Sequence, residues 1–120
     1  MQKILAIDDD VLFLEVILDL LEEKGFQGTG AQNGRLGLQL AKEHRPDLML
    51  CDIRMPGLSG YDVLMALRRE PVTEKIPVIF LTGEQTDTDR DRAMELGANE
   101  YLTKLCSLEQ LVEAIKAQLK

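Results

Sequence analysis

Four short strand-like runs in this chain each stop at a polar residue. Lys3–Ile7 runs into Asp8-Asp9-Asp10, Leu48–Cys51 into Asp52, Val78–Leu81 into Thr82-Gly83, and Glu100–Thr103 into Lys104. Short apolar runs bounded by turn residues read as buried strands, and such runs belong to parallel sheets covered on both faces. The stretch from Leu48 to Gly60 is the most telling. An apolar run delivers one carboxylate, Asp52, and then turns through Pro56, Gly57 and Gly60. An acid at the carboxyl end of such a strand stands where α/β sheets place their chemistry.

Helical periodicity fills the intervals. Val11, Leu14, Ile17, Leu18 and Leu21 form one apolar stripe, with Glu15, Asp19, Glu22 and Glu23 opposite and Gly25 as a stop. Phe26 to Ala31 reads as a weak, glycine-broken strand suited to a sheet edge. Asn33 caps a second helix from Gly34 to about Glu43. His44 follows as an exposed helix-end residue. A third helix is predicted from about Tyr61 to Arg69, with Val63, Leu64 and Leu67 inward. A very charged fourth runs from about Thr86 to Leu96 and stops at Gly97. Ser107 with Gln110 resembles a capping box for a fifth, striped by Leu108, Leu111, Val112, Ile115 and Leu119. Five strands alternating with five helices, without repeat or linker, argue for one domain over residues 1–120. Its sheet is parallel and covered on both faces by right-handed crossovers.

The formal charge of −7 argues against direct nucleic-acid binding, which needs basic surface. No apolar run approaches bilayer length, and Met1-Gln2-Lys3-Ile4 lacks signal-peptide anatomy, so the expected location is cytoplasmic, with no membrane contact. Cys51 packs as a small hydrophobe. A Cys51–Cys106 disulfide is an open alternative, although cytosolic thiols usually stay reduced.

In a parallel sheet of order 2-1-3-4-5, strands one and three meet at the topological switch point, so Asp8, Asp9 and Asp52 share one cleft. Carboxylates that close either raise a pKa or hold a cation, and hard oxygen ligands suit Mg²⁺. A lysine balances charge, and a threonine hydroxyl can meet a phosphoryl oxygen. This is a phosphoryl-transfer arrangement, with an aspartate as nucleophile. Singly, the acids could be a helix cap, Thr82 a plain strand end and Lys104 a solvated charge. Together, each at its own strand end, they favour the site. Asp10 is assigned to capping.

Asp8-Asp9, Asp52 with Met55-Pro56-Gly57 and Gly60, Thr82 and Lys104, in this order and spacing over residues 3 to 119, resemble the receiver domain of two-component response regulators, of the chemotaxis-regulator kind. The resemblance implies a flavodoxin-like (βα)₅ fold. It implies that Asp52 accepts a phosphoryl group from a sensor kinase phosphohistidine. Asp9, Asp52 and the backbone carbonyl of Arg54 would ligate Mg²⁺, with Asp8 contributing directly or through water; Lys104 would pair with the phosphate, and Thr82 would move to meet it. Tyr101 matches the family's switch aromatic, whose ring turns inward as Thr82 moves and alters the surface of helix four, strand five and helix five. The bland alternative for Tyr101 is edge packing. Expected partners are a sensor histidine kinase or phosphotransfer protein, an unidentified downstream target and a phosphorylation-dependent homodimer.

One position departs from the family. Proline usually follows the lysine, often after a cis peptide, but here Leu105 does. A cis bond before a non-proline residue costs about 3 kcal/mol, so the peptide is either trans in a shifted loop or cis at that cost. Arg54 and Glu84, two residues beyond Asp52 and Thr82, are predicted to pair as a lid that restricts the attacking water; the alternative is two exposed charges of little consequence. Three other functions compete. An interaction module no longer phosphorylated is disfavoured by the intact acidic pair, Asp52, Thr82 and Lys104. A phosphohydrolase would want an acid where Arg54 stands. A flavin carrier would not put acids where the FMN phosphate binds.

Overall fold

The computed structural model describes residues 1–83 and 86–120. The elements are β1 (Lys3–Ile7), α1 (Val11–Glu23), β2 (Gln27–Ala31), α2 (Gly34–His44), β3 (Leu48–Cys51), α3 (Gly60–Arg68), β4 (Val78–Thr82), α4 (Asp87–Glu95), β5 (Glu100–Thr103) and α5 (Leu108–Gln118). All strand pairs are parallel, in the order β2-β1-β3-β4-β5. This is the flavodoxin-like (βα)₅ arrangement. No helix among the described residues is long and apolar enough to cross a membrane.

Position in the sheet follows composition. β3 and β4, entirely buried, carry near-continuous apolar runs, as parallel strands covered on both faces must. β2 is glycine-rich, largely exposed and at the edge. Alternation of side chains along each strand divides the core in two. Leu5, Ile7, Met49, Cys51 and Phe80 pack with α2, α3 and α4 residues such as Ala41, Leu64 and Ala93. Ile4, Ala6, Leu48, Leu50, Ile79 and Leu81 pack with Leu14, Ile17 and Leu21 of α1 and Leu111 and Ile115 of α5. Each fully buried leucine or isoleucine contributes about 2 kcal/mol of transfer free energy.

Side-chain caps set the helix starts. Asp10 accepts the Phe13 N–H at 3.1 Å to begin α1, and Asn33 accepts the Leu36 N–H at 2.8 Å to begin α2. Ser107 and Gln110 form the expected capping box of α5. Ser59 and Asp62 form another, which starts α3 at Gly60, one residue before the predicted Tyr61. Gly60 must be glycine. A Cβ there would strike the Asp52 carbonyl oxygen and come within 2.8 Å of Ile53 Cα, so the strand-to-helix turn closes only without a side chain. Gly57, at φ +79°, supplies the left-handed residue of the same turn.

Candidate phosphoacceptor site

The parallel register sets the strand ends side by side. Ile7 of β1 lies opposite Cys51 of β3 and Ala31 of β2. The next residues continue the ladder: the Asp8 N–H donates to the Ala31 carbonyl at 3.0 Å, and the Asp52 N–H to the Ile7 carbonyl at 2.9 Å. Asp8 and Asp52 are therefore held by backbone bonds on neighbouring strands. On the other side, Thr82 ends β4 opposite Thr103, and the Lys104 N–H donates to the Thr82 carbonyl at 2.7 Å. One sheet edge thus brings together Asp8, Asp9, Asp52, Thr82 and Lys104.

The side chains converge further. Asp8, Asp9 and Asp52 each place a carboxylate oxygen within 4.8 Å of the others. Asp8 and Asp52 are buried, whereas Asp9 faces solvent. Lys104 Nζ donates to Asp8 Oδ2 at 2.9 Å and to Asp52 Oδ2 at 3.2 Å. The second oxygens are occupied by backbone, Asp8 Oδ1 by the Asp10 N–H and Asp52 Oδ1 by the Ile53 N–H. Burial pushes the Asp8 carboxyl up, helped by the charge on Asp52 and opposed by Lys104 and the Asp10 N–H. Burial also disfavours the Lys104 ammonium, but the two carboxylates outweigh it and hold its pKa above the ordinary lysine value. Three acids around one ammonium leave a net negative charge in a half-closed cleft. With hard oxygen donors and an open side at Asp9, that donor set fits Mg²⁺, which keeps several waters.

Arg54 is tied to α4. Its guanidinium donates to Asp89 Oδ2 of α4 at 2.8 Å. Asp89 also accepts the Tyr61 hydroxyl at 2.9 Å and the Thr86 hydroxyl at 3.0 Å, and Arg92 lies over the Tyr61 ring, 4.4 Å from its centroid. These hydrogen bonds and Arg54, acting against burial, hold the Asp89 carboxyl below its usual range. Glu84, the other half of the predicted lid, lies outside the described residues.

Tyr101 of β5 is buried, with 1 % of its surface exposed, beside its ladder partner Phe80.

The Lys104–Leu105 peptide is trans, as are all peptide bonds of the described residues. The turn is held by Thr103, whose hydroxyl accepts the Leu105 N–H at 3.2 Å and whose carbonyl accepts the Cys106 N–H at 3.0 Å. Both cysteines are free, so the disulfide alternative falls. The Cys51 thiol donates to the Asp52 carbonyl at 3.2 Å, and burial pushes its pKa well up.

Sequence reasoning missed Asp89, Tyr61 and Phe13, whose ring lies under Lys104. The spacing Thr86-x-x-Asp89 is an N-cap signal that could have drawn attention to Asp89. The Phe13 contact joins helix one to the far end of the chain and leaves no local trace.

Residues 4–116 match the response regulator receiver domain family. The chain belongs to this family. The receiver domain is 38% identical over 119 residues to protein PilH of Pseudomonas aeruginosa, covering 99% of this chain and 98% of that one. It is 37% identical to the phosphate regulon transcriptional regulatory protein PhoB of Escherichia coli, again over 99% of this chain. It spans about half the length of that relative, 52%. Among solved structures, a chemotaxis protein of Vibrio cholerae superposes with a TM-score of 0.93 at 27% identity, covering 99% of both chains. A response regulator of Chloroflexus aurantiacus gives 0.93 at 30% identity, over 98% of this chain and 97% of that one. The protein is thus the receiver domain of a two-component response regulator, a signalling switch.

Proposed function

We propose that Asp52 is the phosphoacceptor of this receiver domain and takes its phosphoryl group from a phosphohistidine on a sensor histidine kinase or phosphotransfer protein. One observation carries the reading: Lys104 is bonded to both Asp8 and Asp52 while a third acid, Asp9, stays open to solvent. A purely structural ion pair has no need of the third acid.

Asp8, Asp9, Asp52 and the Arg54 carbonyl would hold Mg²⁺, which supplies charge neutralisation for a phosphoryl group in transit. In the transfer, an Asp52 carboxylate oxygen forms a bond to phosphorus. The phosphorus–nitrogen bond of the donor breaks, and its electron pair stays on the imidazole nitrogen. Asp52 is fixed for this by its backbone bond to Ile7 and by the Ile53 N–H on Oδ1. Lys104, held charged by its two acids, is placed to follow a phosphoryl oxygen, since Asp52 gives up negative charge density as it becomes the acyl phosphate. Thr82, fully buried at the end of β4, would supply a hydroxyl to the same group. Its movement, with the Tyr101 ring, would relay phosphorylation to the α4-β5-α5 surface. Arg54, paired with Glu84, would restrict the water that hydrolyses the acyl phosphate. A cytoplasmic location, a downstream target and a phosphorylation-dependent homodimer belong to the same reading.

The test is intact-mass measurement after incubation with Mg²⁺ and acetyl phosphate or phosphoramidate. Wild-type protein should gain one phosphoryl mass, and Asp52→Ala or removal of Mg²⁺ by EDTA should abolish the gain. No gain in wild-type protein refutes the phosphoacceptor reading in favour of an interaction module.

A further inference from the structure

Lys104 is the cation on which the acidic cluster depends, and the next residue is where the chain departs from its family. Leu105 contributes no packing, being 88 % exposed. Its N–H instead donates to the Thr103 hydroxyl, a bond proline cannot make. The backbone at Lys104 is therefore held from β5, which leaves its long side chain to be seated by other contacts.

Phe13 faces it from the first turn of α1. Lys104 Nζ lies over the Phe13 ring, 4.6 Å from the centroid, inside the range of cation–π attraction. The ring's place is tied to the acids. Asp10 accepts the Phe13 N–H at 3.1 Å, and the Asp10 N–H donates to Asp8 Oδ1 at 2.9 Å. Asp8, the Asp10 cap and the Phe13 backbone are thus linked by consecutive hydrogen bonds. An aliphatic residue at this position would cover the same core surface but would present no negative ring face to an ammonium.

We propose that Phe13 is a positioning residue for Lys104. Its ring completes, with Asp8 and Asp52, a three-sided seat for the ammonium. The consequence for phosphorylation rests on the phosphoacceptor reading, but the seat itself does not.

Two measurements test it. In NMR spectra without phosphodonor, the Lys104 ε-methylene protons should be shifted upfield by the ring in wild-type and Phe13→Tyr proteins and unshifted in Phe13→Leu. With acetyl phosphate, Phe13→Leu should be phosphorylated about three- to tenfold more slowly than wild type, a loss Phe13→Tyr should rescue. In a Lys104→Ala background, Phe13→Leu should cause no further slowing, as expected of a residue acting through the lysine. Absence of the upfield shift in wild-type protein, a Phe13→Leu rate equal to wild type, or an equal slowing in both backgrounds overturns the proposal. If wild-type protein takes no phosphoryl group at all, the phosphoacceptor reading falls, and the proton shifts alone decide the seat.

Discussion

Replacing Lys104 with methionine should expose how much of this fold's stability is tied up in its acidic cleft. The ammonium stands 2.9 Å from Asp8 and 3.2 Å from Asp52, and its side chain is only 18 % exposed. Removing one partner of a buried pair costs about 3–5 kcal/mol, because the remaining charge stays desolvated. Here two carboxylates remain, but Lys104 retains some solvent access, which places the expected loss near the lower end, about 3 kcal/mol. For a domain of this size that corresponds to a fall in Tm of roughly 12 °C. The dependence on pH has a definite sign. Lys104 has a raised pKa in the folded protein, so its contribution is fully present below the ordinary lysine value and is lost as pH rises through the folded one. At pH 7 the whole deficit should therefore appear. In the variant, Asp8 loses an influence that lowered its pKa and is pushed further up. Its protonation then relieves the repulsion, and the gap to wild type should narrow as pH falls towards that raised pKa. Added Mg²⁺ should narrow it too, since a cleft without its ammonium holds the cation more tightly than wild type does, and a ligand that binds only the folded state stabilises by mass action. Urea unfolding in EDTA at pH 7 and pH 5, repeated with Mg²⁺, measures all three. A variant within about 0.5 kcal/mol of wild type at pH 7 in EDTA would refute the view that Lys104 is the structural counter-charge of the cleft.

Two further outcomes concern the scaffold. Arg68 donates to the carbonyls of Glu74, Ile76 and Gly97 and to Asn99 Oδ1, tying the ends of α3 and α4 to the starts of β4 and β5. Arg68→Ala should destabilise by about 3 kcal/mol, which at a urea m-value near 1.5 kcal/mol/M moves the midpoint by about 2 M; a shift below about 0.5 M would contradict it. The chain's two tyrosines both resist ionisation. Burial, then the Asp89 hydrogen bond, raises Tyr61 from 10.0 to about 12, and burial leads the rise of Tyr101. The stability this represents is present below pH 10 and is lost as pH rises towards 12, so tyrosinate absorbance should appear together with loss of helical circular dichroism. Ionisation near pH 10 with the fold intact would refute the assignment.

Much of this was readable because the signals were local. Each strand was announced by an apolar run, and the parallel register turned four strand ends into one site. α1, α2 and α5 carried their own caps at Asp10, Asn33 and Ser107. The start of α3 was misplaced by one residue although Ser59-x-x-Asp62 is a capping spacing, because Gly60 reads as part of the turn until its contact with the Asp52 carbonyl is seen. The Arg54–Asp89–Tyr61 contacts and the Phe13 ring under Lys104 join residues far apart in the chain. No periodicity records which charged residue of an exposed helix turns towards a distant arginine. Leu105 left its peptide geometry undecided because the deciding group, the Thr103 hydroxyl, belongs to the strand before it.

The polar character of α4 has a thermodynamic consequence. Among its described residues only Ala93 is buried, and Asp89 links its first turn to Arg54 and Tyr61 by hydrogen bonds. Lifting such a helix exposes less apolar surface of its own than lifting a striped helix such as α1, and so carries a smaller heat-capacity change. Its attachment should weaken with ionic strength, over a Debye length of about 8 Å at physiological salt, far more than with temperature. The buried strands β3 and β4 have the opposite dependence. A single sheet thus carries on one flank an element whose hold on the domain answers more to ions than its neighbours' does.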